Sequence, residues 1–245
     1  EIQYLSNPSN FLKYIYDEYK EKIKLIVSGS SAFYIDRKFK DSLAGRKKIF
    51  NVYTLSFREF LRFKKEEVLS QKDFSALSLE EENKANLYFR EFMIYGGYPK
   101  VVLSETIEEK RAALADIYQS FLEKDISILL NIQKTESVVA LVRLLSSQVG
   151  NLVNVAELSN TLGISVQTVK EYLWYLEKTY IVRKVTPYFK NLRKEITKAP
   201  TYYFVDLGLR NYAANQFGSA AGSPDGFLFE NFVFNSLKDH LYLTP

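Results

Sequence analysis

The chain has 245 residues, 47% of them hydrophobic and 25% charged, with a net charge of +4. That length is enough to bury a sizeable core in one large or two to three small domains, and the balance is that of an ordinary soluble globular protein. The absence of cysteine excludes disulfides and cysteine-ligated zinc, and a single histidine, His240, excludes a histidine-rich metal site. No apolar run approaches the roughly 18 residues that span a bilayer. Glu1-Ile2-Gln3-Tyr4 lacks the basic-then-apolar pattern of a secretion signal, so the expectation is a cytoplasmic protein with no membrane partner.

In chain order, Asn7-Pro8-Ser9 reads as a helix start, and an amphipathic stretch over 11–19 follows it. Lys22-Ile23-Lys24-Leu25-Ile26-Val27 is a short apolar, β-branched run ending at Ser28-Gly29-Ser30-Ser31. Such a run predicts a strand buried on both faces, as in a parallel sheet. Residues 49–55 read as a second strand of the same sheet, with a basic connector between the two on its surface. That connector holds Arg37, Lys38, Lys40, Arg46, Lys47 and Lys48 against the lone acid Asp41. Ser56 with Glu59 three residues on is a capping-box pattern.

From about residue 79 the pattern is helical only. One helix is predicted over 80–95 and stopped by Gly96-Gly97 with Pro99 beyond, a second over 106–130, and a third over 135–148. This shift from α/β to all-α predicts a second layer beginning near residues 65–80. Residues 149–186 carry the clearest local signature: a short helix over 155–162, a turn at Gly163-Ile164, and a helix capped by Ser165. Val169, Leu173 and Leu176 share one face of that helix, and a strand begins at Ile181. The pattern is that of a winged helix-turn-helix. With Val169 and Leu173 facing in, Gln167, Thr168, Lys170 and Glu171 face out. A second basic cluster follows, of Arg183, Lys184, Lys190, Arg193, Lys194 and Lys198 against Glu195. Each basic cluster is either a solvated face or a nucleic-acid contact. Residues 202–205 predict a strand, Asp206 a helix N-cap, and 226–237 an apolar-rich helix containing Glu230; His240 falls near its end. The tract 218–224 reads as a linker.

Several segments taken together resemble one family. They are Glu1-Ile2-Gln3, Leu25-Ile26-Val27-Ser28-Gly29-Ser30-Ser31, Ser42-Leu43-Ala44-Gly45-Arg46 and Leu55-Ser56-Phe57-Arg58-Glu59-Phe60-Leu61. Tyr95-Gly96-Gly97-Tyr98-Pro99, Tyr203-Phe204-Val205-Asp206-Leu207-Gly208-Leu209 and Phe229-Glu230-Asn231-Phe232-Val233 complete the set. In this order they are similar to bacterial and archaeal AAA-type ATPases that join an ATPase core to a winged helix and a C-terminal nuclease-like domain. Each is weak alone; the order along nearly the whole chain makes them specific.

The resemblance implies ATP and Mg²⁺ as the parent family's cofactors, held by a GxxxxGK[ST] loop, and that loop does not occur in this sequence. The chain itself is therefore expected to bind ATP weakly or not at all, and to be inactive alone. The resemblance makes Glu1 the candidate general base next to the missing Walker B aspartate. Ser30, or Ser28, becomes a polar sensor of the γ-phosphate, or else part of a simple turn. Arg46 becomes a γ-phosphate-sensing arginine, or else one cation of an exposed run. Glu230 resembles the first-helix acid of nuclease-like folds, without the partners that would make a metal site.

The expected architecture is α/β then mainly α. It comprises the C-terminal part of a P-loop AAA-type core (1–64), a helical lid (65–133), a winged helix (134–198) and the start of a nuclease-like α/β domain (199–245). The expected function is ATP hydrolysis driving a conformational switch on DNA or on a protein partner. In the DNA version, Gln167, Thr168 and Lys170 meet the groove while Lys190, Arg193 and Lys194 touch phosphates. The alternatives are a non-enzymatic winged-helix module that binds DNA or packs against protein, and a nuclease resting on Glu230 alone.

Overall fold

Several helices of this chain begin on side-chain oxygens. In a computed structural model describing residues 7–19, 22–29, 48, 50–121, 136–191, 198–217 and 226–243, three helices open on a full capping box. Ser56 with Glu59 starts α2 (Phe57–Phe63), Ser78 with Glu81 starts α4 (Leu79–Tyr95), and Thr106 with Glu109 starts α6 (Ile107–Ser120). In each, the cap oxygen and the glutamate satisfy backbone N–H groups that the first turn leaves without partners. The remaining helices of this half are α1 (Pro8–Tyr19), α3 (Glu67–Gln71) and α5 (Pro99–Leu103), the last opened by its proline.

Next come α7 (Glu136–Ser147), α8 (Val155–Leu162) and α9 (Val166–Lys178). Asn154 caps α8, Gly163 ends it in the left-handed conformation at φ 64°, and the Ser165 hydroxyl accepts from the Thr168 amide to start α9. β1 (Val182–Val185) pairs antiparallel with β2 (Thr201–Phe204), with Val182 opposite Phe204 and Val185 opposite Thr201. An isolated bridge sets Leu152, just before α8, against Thr201. α10 (Leu207–Ala213) and α11 (Gly226–Leu243) close the order.

Among the described residues the molecule is mostly helical, with this one two-stranded sheet. It has two main cores. The first gathers Leu141, Val142 and Leu145 of α7, Val169, Leu173 and Leu176 of α9, Val182 and Phe204. The second gathers Phe60, Leu61, Leu69, Phe92, Met93, Val102 and Leu228, with an aromatic cluster in which Phe89 meets Phe57 and Phe232 edge-on and Phe57 meets Phe92 tilted. Each such large apolar side chain contributes about 1.5–3 kcal/mol when fully buried. α10 belongs to both: Leu207 packs in the second core, Leu209 and Ala213 in the first.

α11 fastens to β2 through amides. Fully buried Asn231 accepts from the Phe204 N–H at 2.9 Å and donates to its carbonyl at 2.8 Å, which completes the strand edge as another strand would. Asn235 donates to the Phe204 and Val205 carbonyls, and the Tyr203 ring stacks on Phe234 at 4.4 Å.

Most sequence expectations for the helices hold within a residue or two. The strand expected over 202–205 is observed one residue earlier. The helix expected over 106–130 is observed from Ile107 to Ser120, and residues 122–135 lie outside the described set. The 218–224 linker also lies outside it. The two expected strands over 22–55 require a correction. Residues 23–29 and 50–55 sit in no helix or strand, and Ile26 and Val52 are 84% and 93% exposed rather than buried on both faces. A ladder needs a paired neighbour on its hydrogen-bonding edge, and apolar composition by itself does not supply one.

Asn231→Ala leaves the Phe204 N–H without its partner inside a buried strand edge. It should lower stability by about 1–3 kcal/mol, read by urea titration. Wild-type stability in that variant would show that α11 is not fastened through Asn231.

Candidate functional site

The most constrained place in the molecule is where α10 enters between α4 and α7. Gly96, at φ 75°, and Gly97 follow α4; Gly208 is the second residue of α10. A Cβ on Gly208 would overlap the Tyr95 carbonyl, one on Gly97 the Leu55 carbonyl, and one on Gly96 the Asp206 carboxylate. Backbone meets backbone here because these three positions carry no side chain.

Asp206 occupies the space so created. It is buried, caps α10 by accepting from the Leu209 N–H at 2.9 Å, and accepts from the Gly97 N–H at 2.8 Å. Burial pushes its carboxyl up from 3.8 to about 6, opposed by the Gly97 and Leu209 amides, the Thr54 hydroxyl and the Gly208 amide. Two residues on the same short helix extend the fastening. Arg210, also buried, donates to the Ser146 carbonyl at 2.8 Å and to Gln216 at 2.6 Å, which satisfies the end of α7. Asn211 donates to the Met93 and Ile94 carbonyls at 2.9 Å, which satisfies the end of α4. α10 is thus a polar pin between the two cores. Beside it lies a cavity of about 30 Å³, room for about one water, lined by Thr54, Asp206, Arg183 and Asn235 among others.

The outward face of α9 is the second feature. Val169 and Leu173 are buried as expected, and Gln167, Lys170 and Glu171 are exposed. Gln167 donates to Glu171 at 2.9 Å. Thr168 is half-buried, and its hydroxyl lies 2.7 Å from the Ser165 hydroxyl, so it serves the cap as much as the surface. Trp174, the only tryptophan, is 39% exposed on this helix, with the Lys178 ammonium 5.9 Å from its ring centre. Lys190 is exposed; Arg193 and Lys194 lie outside the described residues. Residues 136–198 carry nine basic side chains against five acidic ones, which equals the whole net +4 of the chain.

Of the residues named for nucleotide chemistry, Glu1, Ser30 and Arg46 lie outside the described residues, and Ser28 is exposed in irregular backbone. Glu230 accepts from the Tyr203 hydroxyl. Among the described residues no three acidic or histidine side chains are grouped to hold a metal, and no helix is long and apolar enough to cross a membrane. Sequence reasoning identified Asp206 as a cap, but not its bond to Gly97 or the roles of Arg210, Asn211, Asn231 and Thr54. The signal was present as two short motifs, Tyr95-Gly96-Gly97 and Asp206-Leu207-Gly208, whose bonded residues Gly97 and Asp206 lie 109 apart in sequence, and no local rule reveals their partnership.

A family model for a domain of unknown function (DUF8612) matches residues 86–220, more than half of the chain. The chain belongs to that family. The DUF8612 span contains Gly96, Gly97, Asp206, Arg210 and Asn211, so the pin and the helix-turn-helix elements fall within one family unit. Residues 1–61 match a model of the AAA domain, which makes the N-terminal part an AAA-type ATPase-like region. The chain is 27% identical to an uncharacterized protein of Haemophilus influenzae, over 87% of this chain and 50% of that protein. It is 25% identical to one of Methanocaldococcus jannaschii, over 97% of this chain and 52% of that protein. A Mycobacterium tuberculosis protein, also uncharacterized, is 29% identical over 46% of this chain and 26% of its own length. The chain spans about half the length of the first two relatives. No solved structure matches it.

The Asp206 carboxyl gives a pH test. Its folded value is raised, so the stability it contributes is full below about pH 4 and is lost as pH rises through about 6. Across that window wild-type stability should fall relative to Asp206→Asn by an amount on the order of 3 kcal/mol, measured by urea midpoints at stepped pH. Parallel curves for the two proteins would mean that Asp206 does not titrate there.

Proposed function

We propose that this chain is the part of an AAA-type ATPase that carries the end of the ATPase core, a helical lid and a winged helix-turn-helix. In the whole protein, ATP hydrolysis would reposition that winged helix against duplex DNA. The observation that carries the reading is the joining, in one chain, of an AAA-matching region to a helix–turn–helix–strand–strand unit holding all of the chain's net positive charge. The element order supports the winged-helix part: α7, the Leu152 bridge, α8, the left-handed Gly163, α9, then β1 paired to β2. Residues 186–200 are then the wing, and α9 the helix presented to a groove, with Gln167 and Lys170 outward and Thr168 at its start. ATP and Mg²⁺ are the cofactors this reading brings. Residues 199–245 would begin the nuclease-like domain; Glu230 supports a docking role through Tyr203 rather than catalysis.

A second reading, a winged helix that packs against protein, is favoured by one specific observation. Val166 at 42% and Trp174 at 39% exposure share α9 with an acid, Glu171, which is poor chemistry for a surface that must meet phosphates.

One experiment separates the two readings: fluorescence anisotropy on a short duplex between low and moderate salt. DNA binding predicts a non-specific Kd of about 10⁻⁴–10⁻⁶ M. The triple change Lys190→Ala, Arg193→Ala, Lys194→Ala should weaken it and flatten the log–log salt slope by up to about three units. No binding at low salt, or an unchanged slope in the triple variant, would establish the packing reading.

A further inference from the structure

Residues 51–55 form a strap held from three directions. Asn51 accepts from the Tyr180 hydroxyl at 2.9 Å. The Tyr53 ring meets the Tyr180 ring edge-on at 5.7 Å and lies 4.3 Å beneath the Arg183 guanidinium. Thr54 donates to Asp206, and the Leu55 N–H donates to the Gly97 carbonyl at 2.9 Å. Phe50 and Val52 are 74% and 93% exposed. The strap pairs in no ladder; side-chain contacts and the single Leu55–Gly97 backbone bond hold it.

The two ends of the strap meet different partners. Thr54 and Leu55 are anchored on the α10 junction, where glycine packing leaves no slack. Asn51 and Tyr53 rest on Tyr180, just past the end of α9, and on Arg183, in β1. Tyr180 has a left-handed backbone at φ 59°, and Arg183 also donates to Asn235 of α11 at 3.3 Å. Residues 51–53 lie inside the AAA-matching region, and residues 180–183 inside the DUF8612 span. The Tyr53–Tyr180–Arg183 stack is thus a contact at which the two matched units touch.

We propose that this stack is a coupling joint: a displacement of residues 51–53 moves the end of α9 and so changes how its outward face is presented, and the reverse holds equally. Arg183 is then a positioning residue whose planar face is spent on Tyr53, and it is not one of the basic side chains offered to a phosphate. The proposal rests on the reading of α9 as the presented helix, but its test involves neither nucleotide nor DNA. Failed DNA binding would leave it standing.

The test is amide hydrogen exchange on the 245-residue chain. Tyr53→Ala should speed exchange about fivefold at residues 169–176 of α9, beyond the contact itself, as expected for loss of a cation–π stack that steadies the helix. Tyr53→Phe, which keeps the ring, and Phe50→Ala, at an exposed position, should match wild type. Arg183→Lys keeps the charge but loses the flat face, and it should repeat the Tyr53→Ala acceleration; it serves if Tyr53→Ala fails to fold. Acceleration confined to residues 180–183, or wild-type exchange in α9 for both Tyr53→Ala and Arg183→Lys, would overturn the joint.

Discussion

The close approach of three backbone segments at Gly96, Gly97 and Gly208 is the constraint on which the rest of this structure depends. Any Cβ at these positions would occupy volume already filled by a carbonyl or by the Asp206 carboxylate. Because the chain segments come this near, α10 fits between the two main cores and contributes a leucine to each. The approach also strands polar groups. Two helix ends, at α4 and α7, point carbonyls into a buried region, and unsatisfied buried carbonyls cost free energy comparable to a lost hydrogen bond. Asn211 and Arg210 supply the missing donors, and Asp206 supplies the acceptor that the Gly97 and Leu209 N–H groups need. The polar pin and the glycines are two halves of one solution.

A consequence is that the helix-turn-helix unit is not an appendage on a string. Asp206 immediately follows β2 by way of Val205, whose N–H donates to the Ile181 carbonyl. The residues that fix α10 therefore also fix the strand pair and, through it, the end of α9. α11 adds a further hold by completing the edge of β2 with Asn231. An AAA-type region that moves residues 51–55 would act on this assembly at a place already rigid, which is where small displacements are transmitted rather than absorbed.

The fold was legible wherever local chemistry decides it. Ser56, Ser165 and Asp206 cap the helices that follow them as read, and the buried face of Val169, Leu173 and Leu176 follows from helical spacing alone. Residues 22–27 misled because an apolar, β-branched run fits a strand equally well whether or not a ladder partner adjoins it. The candidate site was legible in part. Gln167 and Lys170 face outward as spacing requires, whereas the acceptors of Arg210 and Asn211 lie 64 and about 118 residues away in sequence, beyond any local pattern. The nucleotide residues Glu1, Ser30 and Arg46 rest on the resemblance alone.

The most direct measurement is the urea unfolding of Gly208→Ala followed by two probes: Trp174 fluorescence for the helix-turn-helix unit and far-ultraviolet circular dichroism for the helices as a whole. Alanine in a helix ordinarily adds about 0.5–1 kcal/mol over glycine. If the backbone approach at Tyr95 organises both cores, the substitution should instead lower stability by about 1–3 kcal/mol, with both transitions shifting together. A neutral or stabilising effect, or a Trp174 transition that stays put while the other moves, would contradict the account.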